Sequence, residues 1–280
     1  MAARPIPDDI REVLERAGAA PPDRIELAET ALALGALERP GVSLVWYRRH
    51  LDQLVDAVAE AARALGSDAG AAAEALSGVL AHGFGYVGDV RSYEDMQNAN
   101  LLRVIDRRKG LPVALGILYL HVGRAQGWPM TGLNFPGHFL IRLGDGGERV
   151  VLDPFHAGIE RPVGQMRELL KAVAGPDAEL RPEHWAAVDD RDILLRLQNN
   201  IKLRHLRGDS VGRALEVLEG MLLIAPGDAM LWREAGLLNA RIGNLAAAIE
   251  KLERFMDSPA PDRLKHQTAS VLAELRSRLH

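Results

Sequence analysis

The sequence predicts an α+β chain, mainly α, with N-terminal helices, a small antiparallel sheet in the middle and helical hairpins at the C-terminal end. Three observations carry this expectation. Apolar residues recur at three- and four-residue steps in the first hundred positions, as in Leu44, Tyr47, Leu51, Leu54, Val58 and Ala61, the spacing of a helix with one buried face. Three short segments between Met130 and Leu152 are separated by Pro136-Gly137 and by Gly144-Asp145-Gly146-Gly147, the punctuation of strands joined by turns. The last third is helical again and repeats itself at a period of about 34 residues.

Taken in order, Ile10 to Ala17 is expected as a short helix. Arg24 to Leu37 follows, opened by Pro21-Pro22-Asp23 and closed near Pro40-Gly41. Leu44 to Leu65 is a longer amphipathic helix, and Asp68 to Leu80 is alanine-rich and helical. His82-Gly-Phe-Gly-Tyr86 breaks the pattern, because two closely spaced glycines disfavour continued helix. Ser92 to Ile105 is a polar loop passing into a short helix. Leu111 to Gln126 is an apolar helix with Pro112 in its first turn, where the missing N–H costs nothing. The expected strands are Met130 to Phe135, His138 to Leu143 and Arg149 to Leu152, the last closed by Asp153-Pro154.

In the final third, Trp232, Gly236, Ala248 and Leu252 fall where a tetratricopeptide unit places its large, small, small and apolar core residues. Thirty-four positions earlier stand Gln198, Lys202, Ala214 and Leu218; the last two fit and the first two do not, so the earlier unit is degenerate. Pro226 and Pro259 close the second helix of each unit. The simpler alternative is a pair of ordinary amphipathic hairpins. The expected division is 1–185 for the helical segment and core and 186–280 for the repeat helices.

Composition narrows the function. The 280 residues are 48% apolar and 26% charged with a formal charge of −4, which suits a globular chain and gives no reason to expect nucleic acid or an anionic membrane as partner. Zero cysteines exclude disulfides, thiolate nucleophiles and cysteine-held metals together. The start, Met1 to Ile10, has no apolar stretch able to serve as a secretory signal. The apolar run Leu111 to Leu120 is half the length of the ~20 residues that span a bilayer. A cytoplasmic protein is expected.

The residues that carry chemistry lie in the middle. Arg107-Arg-Lys-Gly-Leu-Pro-Val-Ala-Leu115, Gly132-Leu-Asn-Phe-Pro-Gly-His-Phe-Leu-Ile-Arg142 and Leu152-Asp-Pro-Phe-His156 together resemble the SirB-type transglutaminase-like family. The resemblance covers roughly residues 40 to 260, and that family also carries tetratricopeptide-like helices at its C-terminal end. It implies a papain/transglutaminase-like core. Such sites place a thiol at a helix start, a histidine on one strand and a carboxylate on the next. His138 and Asp153 match the histidine and the carboxylate. The nucleophile position falls at or beside Pro112, which can attack nothing, and no serine or threonine lies within a turn of it. Members of the family are similar in lacking the thiol, so the resemblance supports a fold better than an activity. No catalytic residue is assigned: His138 and Asp153 are vestigial on this reading.

Each candidate has a plainer explanation. His138 can be a strand histidine satisfied by its neighbours, and Asp153 can cap the turn that Pro154 begins. Arg107 and Arg108, before a helix start, are candidates for binding a phosphate or carboxylate, although solvated charge runs are commoner. His138, Asp153 and His156 are of metal-ligating types, but their spacing is no recognised signature, so no metal and no cofactor is assigned. The candidate binding residues are Phe135, Gly137, His138, Asp153, Phe155, His156, Arg107 and Arg108.

Three functions are consistent with this. The first is a non-catalytic binding or regulatory protein, with a protein or peptide partner held by the degenerate cleft and the repeat helices. The second is a hydrolase in which His138 and Asp153 activate water, with or without a metal. The third is a core that only carries the repeats.

Overall fold

The computed structural model describes residues 5–66, 68–144, 147 and 149–279. They are mainly helical with a small antiparallel sheet. The chain divides into two compact units, residues 21–197 and residues 1–20 with 198–280. The first twenty residues therefore group with the C-terminal helices, where the sequence reading had placed them with the core.

In the unit of residues 21–197, α2 (Leu27–Leu37), α3 (Val45–Leu65) and α4 (Ala69–Ser77) lie where the flanking prolines, the apolar periodicity and the alanine-rich run respectively put them, although α2 begins three residues later than expected. Asp68 caps α4 by accepting from the Ala71 N–H at 2.7 Å. The helix then widens into a π turn over Gly78–Gly83, so the chain leaves helical geometry only at Phe84 and Gly85. The short strand β1 (Val87–Gly88) follows. Helix α5 (Leu101–Arg107) begins at Asn100, whose side chain accepts from the N–H groups of Leu102 and Arg103. Strand β2 (Lys109–Gly110) pairs in parallel with β1.

Helix α6 (Pro112–Ala125) is buried along nearly its whole length, as its lack of a polar face requires. It packs on strands β3 (Met130–Leu133) and β4 (Leu140–Leu143), and glycines set how close it comes. A Cβ on Gly116 would lie 2.4 Å from the Phe139 ring, and one on Gly123 would lie 2.0 Å from Met130 Sδ. Strand β5 (Val150–Asp153) pairs antiparallel with β4. The strands β6 (Ile159–Glu160) and β7 (Ala187–Val188) complete a five-stranded sheet in the order β6-β5-β4-β3-β7. Between them runs α7 (Val163–Ala174), whose Met166 and Leu170 pack on Leu133, Phe135 and Leu140. The β4–β5 turn foreseen at Gly144 to Gly147 includes Asp145 and Gly146, which are outside the described residues.

All three expected strands differ in their limits; β5, Val150 to Asp153, lies one residue later at each end than expected and so takes in Asp153. His138 precedes β4 by two residues rather than opening it, because Gly137 at φ +66° turns the chain there. Strand β3 stops at Leu133, since Pro136 lacks the N–H that a longer ladder would use.

Helix α8 (Asp190–Arg207) is where the chain passes from the first unit to the second. The second unit contains α1 (Asp8–Ala19), α9 (Val211–Ile224), α10 (Ala229–Arg241), α11 (Leu245–Met256) and α12 (Asp262–Leu279). Gly236 lets α10 approach α11, since a Cβ there would lie 2.5 Å from Leu252 Cγ. Ion pairs between positions 32 residues apart tie successive hairpins together: Lys202 to Glu234, Asp209 to Arg241 and Glu219 to Lys251. Lys202, at odds with the repeat pattern, is buried and paired with Glu234 at 2.5 Å.

Candidate functional site

Asp153 ends β5 and its carboxylate is fully buried. The sequence Asp-Pro-Phe-His closes a 3-10 turn over Pro154–His156, and Asp153 Oδ1 accepts from the N–H groups of Phe155 at 3.2 Å and His156 at 3.3 Å. The same oxygen lies 2.8 Å from His138 Nε2. The second oxygen, Oδ2, lies 2.8 Å from His156 Nδ1 and 2.8 Å from an Arg161 guanidinium nitrogen. The turn-capping and the histidine-pairing explanations of Asp153 are thus both true at once.

Burial alone would push this carboxyl group's pKa up. The hydrogen bonds and charges of His138 and His156 outweigh burial and hold it well below the usual carboxylate range. It is an anion in the folded protein, so each imidazole facing it presents N–H. His138 therefore has Nε2 held by the carboxylate, while its Nδ1 has no hydrogen-bond partner among the described residues. One ring nitrogen is tethered to a carboxylate and the other is left to accept a proton, the division of roles a base in a catalytic triad requires, here with the two nitrogens exchanged relative to the serine-protease arrangement.

The backbone around His138 explains the Phe-Pro-Gly-His run. A Cβ on Gly137 would lie 2.4 Å from Val173 Cγ1, and its φ of +66° is one that side chains other than glycine rarely adopt. Phe135 is buried with Leu133 and Met166. The Phe155 ring stands edge-on to His138 at 6.0 Å and to Tyr93 at 5.7 Å. The pair is shielded: the His138 side chain is 10% exposed, whereas His156 is 43% exposed.

The structure brings Phe135, Gly137, His138, Asp153, Phe155 and His156 together. Arg107 and Arg108 are engaged elsewhere. Arg107 bridges Asp89 at 2.9 Å and Asn98 at 2.8 Å. Arg108, at φ +61°, lies over the Tyr86 ring and contacts the Tyr86 hydroxyl and His50. Pro112 is buried at the first turn of α6, and Leu111 to Leu115 offer no hydroxyl or thiol.

Three residues of the site were missed by sequence reasoning. Arg161 grips Asp153 from β6's end of the sheet. Arg196, on α8, donates to the His138 carbonyl at 2.6 Å and lies over the Phe139 ring. Tyr119, on α6, has a buried hydroxyl with no partner among the described residues, and burial, with the charge of Asp153 adding to it, raises its pKa. Only Arg161 had a signal, as a lone cation shortly after Asp-Pro.

Fold and site define a transglutaminase-like protein with a repeat array. Residues 45–199 match the transglutaminase-like superfamily and residues 201–280 the tetratricopeptide repeat. The chain is 33% identical over 265 residues to a UPF0162 protein of Vibrio cholerae, covering 92% of this chain and 97% of that one. A UPF0162 protein of Pseudomonas aeruginosa is 28% identical over 89% of this chain and 85% of its own. A shorter stretch of 82 residues is 37% identical to mouse F-box only protein 21, covering 29% of this chain and 13% of that one. No solved structure matches. The chain belongs to the UPF0162 family, the SirB-type transglutaminase-like proteins.

Proposed function

We propose that this is a non-catalytic binding or regulatory protein of the cytoplasm, a pseudoenzyme whose transglutaminase-like core and repeat helices hold a protein or peptide partner. The observation that supports this is the tip of α6. Its sequence Leu111-Pro112-Val113-Ala114 has no group able to form a covalent acyl intermediate. The carboxylate of Asp153 is saturated by two imidazoles, a guanidinium and two backbone N–H groups, which suits a structural support for the site. Helical repeats of this class stack into extended surfaces that suit peptides.

The test pairs retention of partners from a cell extract with a turnover screen. Full-length protein is expected to retain a partner and to turn over no amide or ester. A chain that retains nothing yet turns over substrate would overturn this reading.

One observation favours a second reading, hydrolysis by activated water: His138 has a tethered Nε2 and an unengaged Nδ1. General-base catalysis requires no nucleophile on the chain. Any activity found should then vanish in His138→Ala, and equal activity in the variant eliminates this version.

A further inference from the structure

We propose that His138, Asp153 and His156 form a binding site for one divalent transition-metal ion, with zinc the ion its ligand set suits best. One ligand atom from each of the three lies within 4.8 Å of the others. Two imidazoles and a carboxylate are a nitrogen- and oxygen-rich set of the kind zinc takes in open sites. His138 Nε2 and His156 Nδ1 each stand 2.8 Å from a carboxylate oxygen. Ligand atoms around tetrahedral zinc, with bonds of about 2.0–2.1 Å, are roughly 3.3 Å apart. With one carboxylate oxygen as ligand, the nitrogen–oxygen pair at 2.8 Å needs to open by about half an ångström, and the other separations, now within 4.8 Å, to settle at the same spacing.

The proton inventory also permits it. Each ring would ligate through the nitrogen that now faces the carboxylate and carry its proton on the outer one. Those outer nitrogens, His138 Nδ1 and His156 Nε2, have no partner among the described residues. The ion would thus take the place of two N–H···O bonds without either ring losing a proton. Around it, Arg161 and the N–H groups of Phe155 and His156 hold the carboxylate in place, the supporting role that outer hydrogen bonds play at zinc sites. The positive charge of Arg161 opposes a dication, so the site should bind more weakly than a closed structural zinc site. Three protein ligands leave a coordination position open, and the half-exposed His156 provides the way in.

This inference does not rest on partner binding, and its test reads the metal directly. Tag-free, full-length protein is stripped with chelator and titrated with Zn²⁺ by calorimetry and with Co²⁺ by visible absorption. One ion per chain is expected, with the visible bands of four- or five-coordinate cobalt. His156→Asn, at a half-exposed position that folding tolerates, should weaken binding by at least about tenfold; His266→Asn, on α12, should not. The proposal is overturned if no zinc is retained at about 100 μM, where a site with Kd of about 10 μM would be filled. It is equally overturned if His156→Asn binds as tightly as the unaltered chain.

Discussion

Gly137 is held between two constraints, a φ of +66° and the Val173 side chain against its missing Cβ. Gly137→Ala should destabilise the protein by about 1–3 kcal/mol in urea unfolding, as a strained backbone position does. Val173→Ala in the same chain should recover the steric part and leave the conformational part. Around Asp153 the partners are unequal. Arg161→Met leaves a buried carboxylate short of one cation and should cost about 2–4 kcal/mol, whereas His156→Ala, at a half-exposed ring, should cost under about 1 kcal/mol. His50 gives the pH response. Burial first, and then the charge of Arg108, lower its pKa, so it is neutral in the fold and accepts from the Tyr86 hydroxyl at 2.7 Å. An unfolded histidine titrates near 6.5, so below that pH the unfolded chain takes up more protons. Stability is therefore whole above about pH 6.5 and falls on acidification. His50→Gln should flatten the slope of melting temperature between about pH 7 and 5, leaving a remainder from His121, which burial lowers in the same direction.

At the scale of elements, legibility followed length. Helix α3, with one apolar face, was found nearly to its ends because several turns repeat the same signal, and α2, buried nearly all round, was found from the prolines and glycine that flank it. Strands β6 and β7 have two residues each, too few for an alternation to show, and exist because β5 and β3 offer them backbone partners. Helix α7 is the exception: its twelve residues are long enough to show an apolar face, but they carry none of the chemistry-bearing motifs. The site was legible where adjacent residues share a local task, as in Pro-Gly-His and Asp-Pro-Phe-His. Arg161, Arg196 and Tyr119 reach it only through tertiary packing, which no spacing records. In the repeat helices, Gly236 carries the tightest α10–α11 approach. Gly236→Val should force the two helices apart and cost at least about 2 kcal/mol, by the overpacking that a closed interface cannot absorb; hydrogen exchange along α11 would report it.

At the scale of the molecule, the first helix belongs with the last four rather than with the residues that follow it. No local pattern announces that, since α1 shows only an apolar face and not which surface covers it. Gly18 fixes the match: a Cβ there would lie 2.1 Å from the Leu223 carbonyl oxygen of α9. Removing residues 1–20 should lower hydrogen-exchange protection in α9 while leaving that of α6 unchanged. Loss of protection in α6 alone would contradict the division into units.

The timing of synthesis follows from this arrangement. Helix α1 leaves the ribosome early, but the surface it covers is about 200 residues away along the chain. At translation rates of ~5–20 residues per second, its apolar side waits on the order of ten to forty seconds for α9. Until then Ile10, Leu14 and Ala17 stand uncovered on the nascent chain, where a chaperone can hold them, and the middle unit is free to fold before the ends of the chain close on each other.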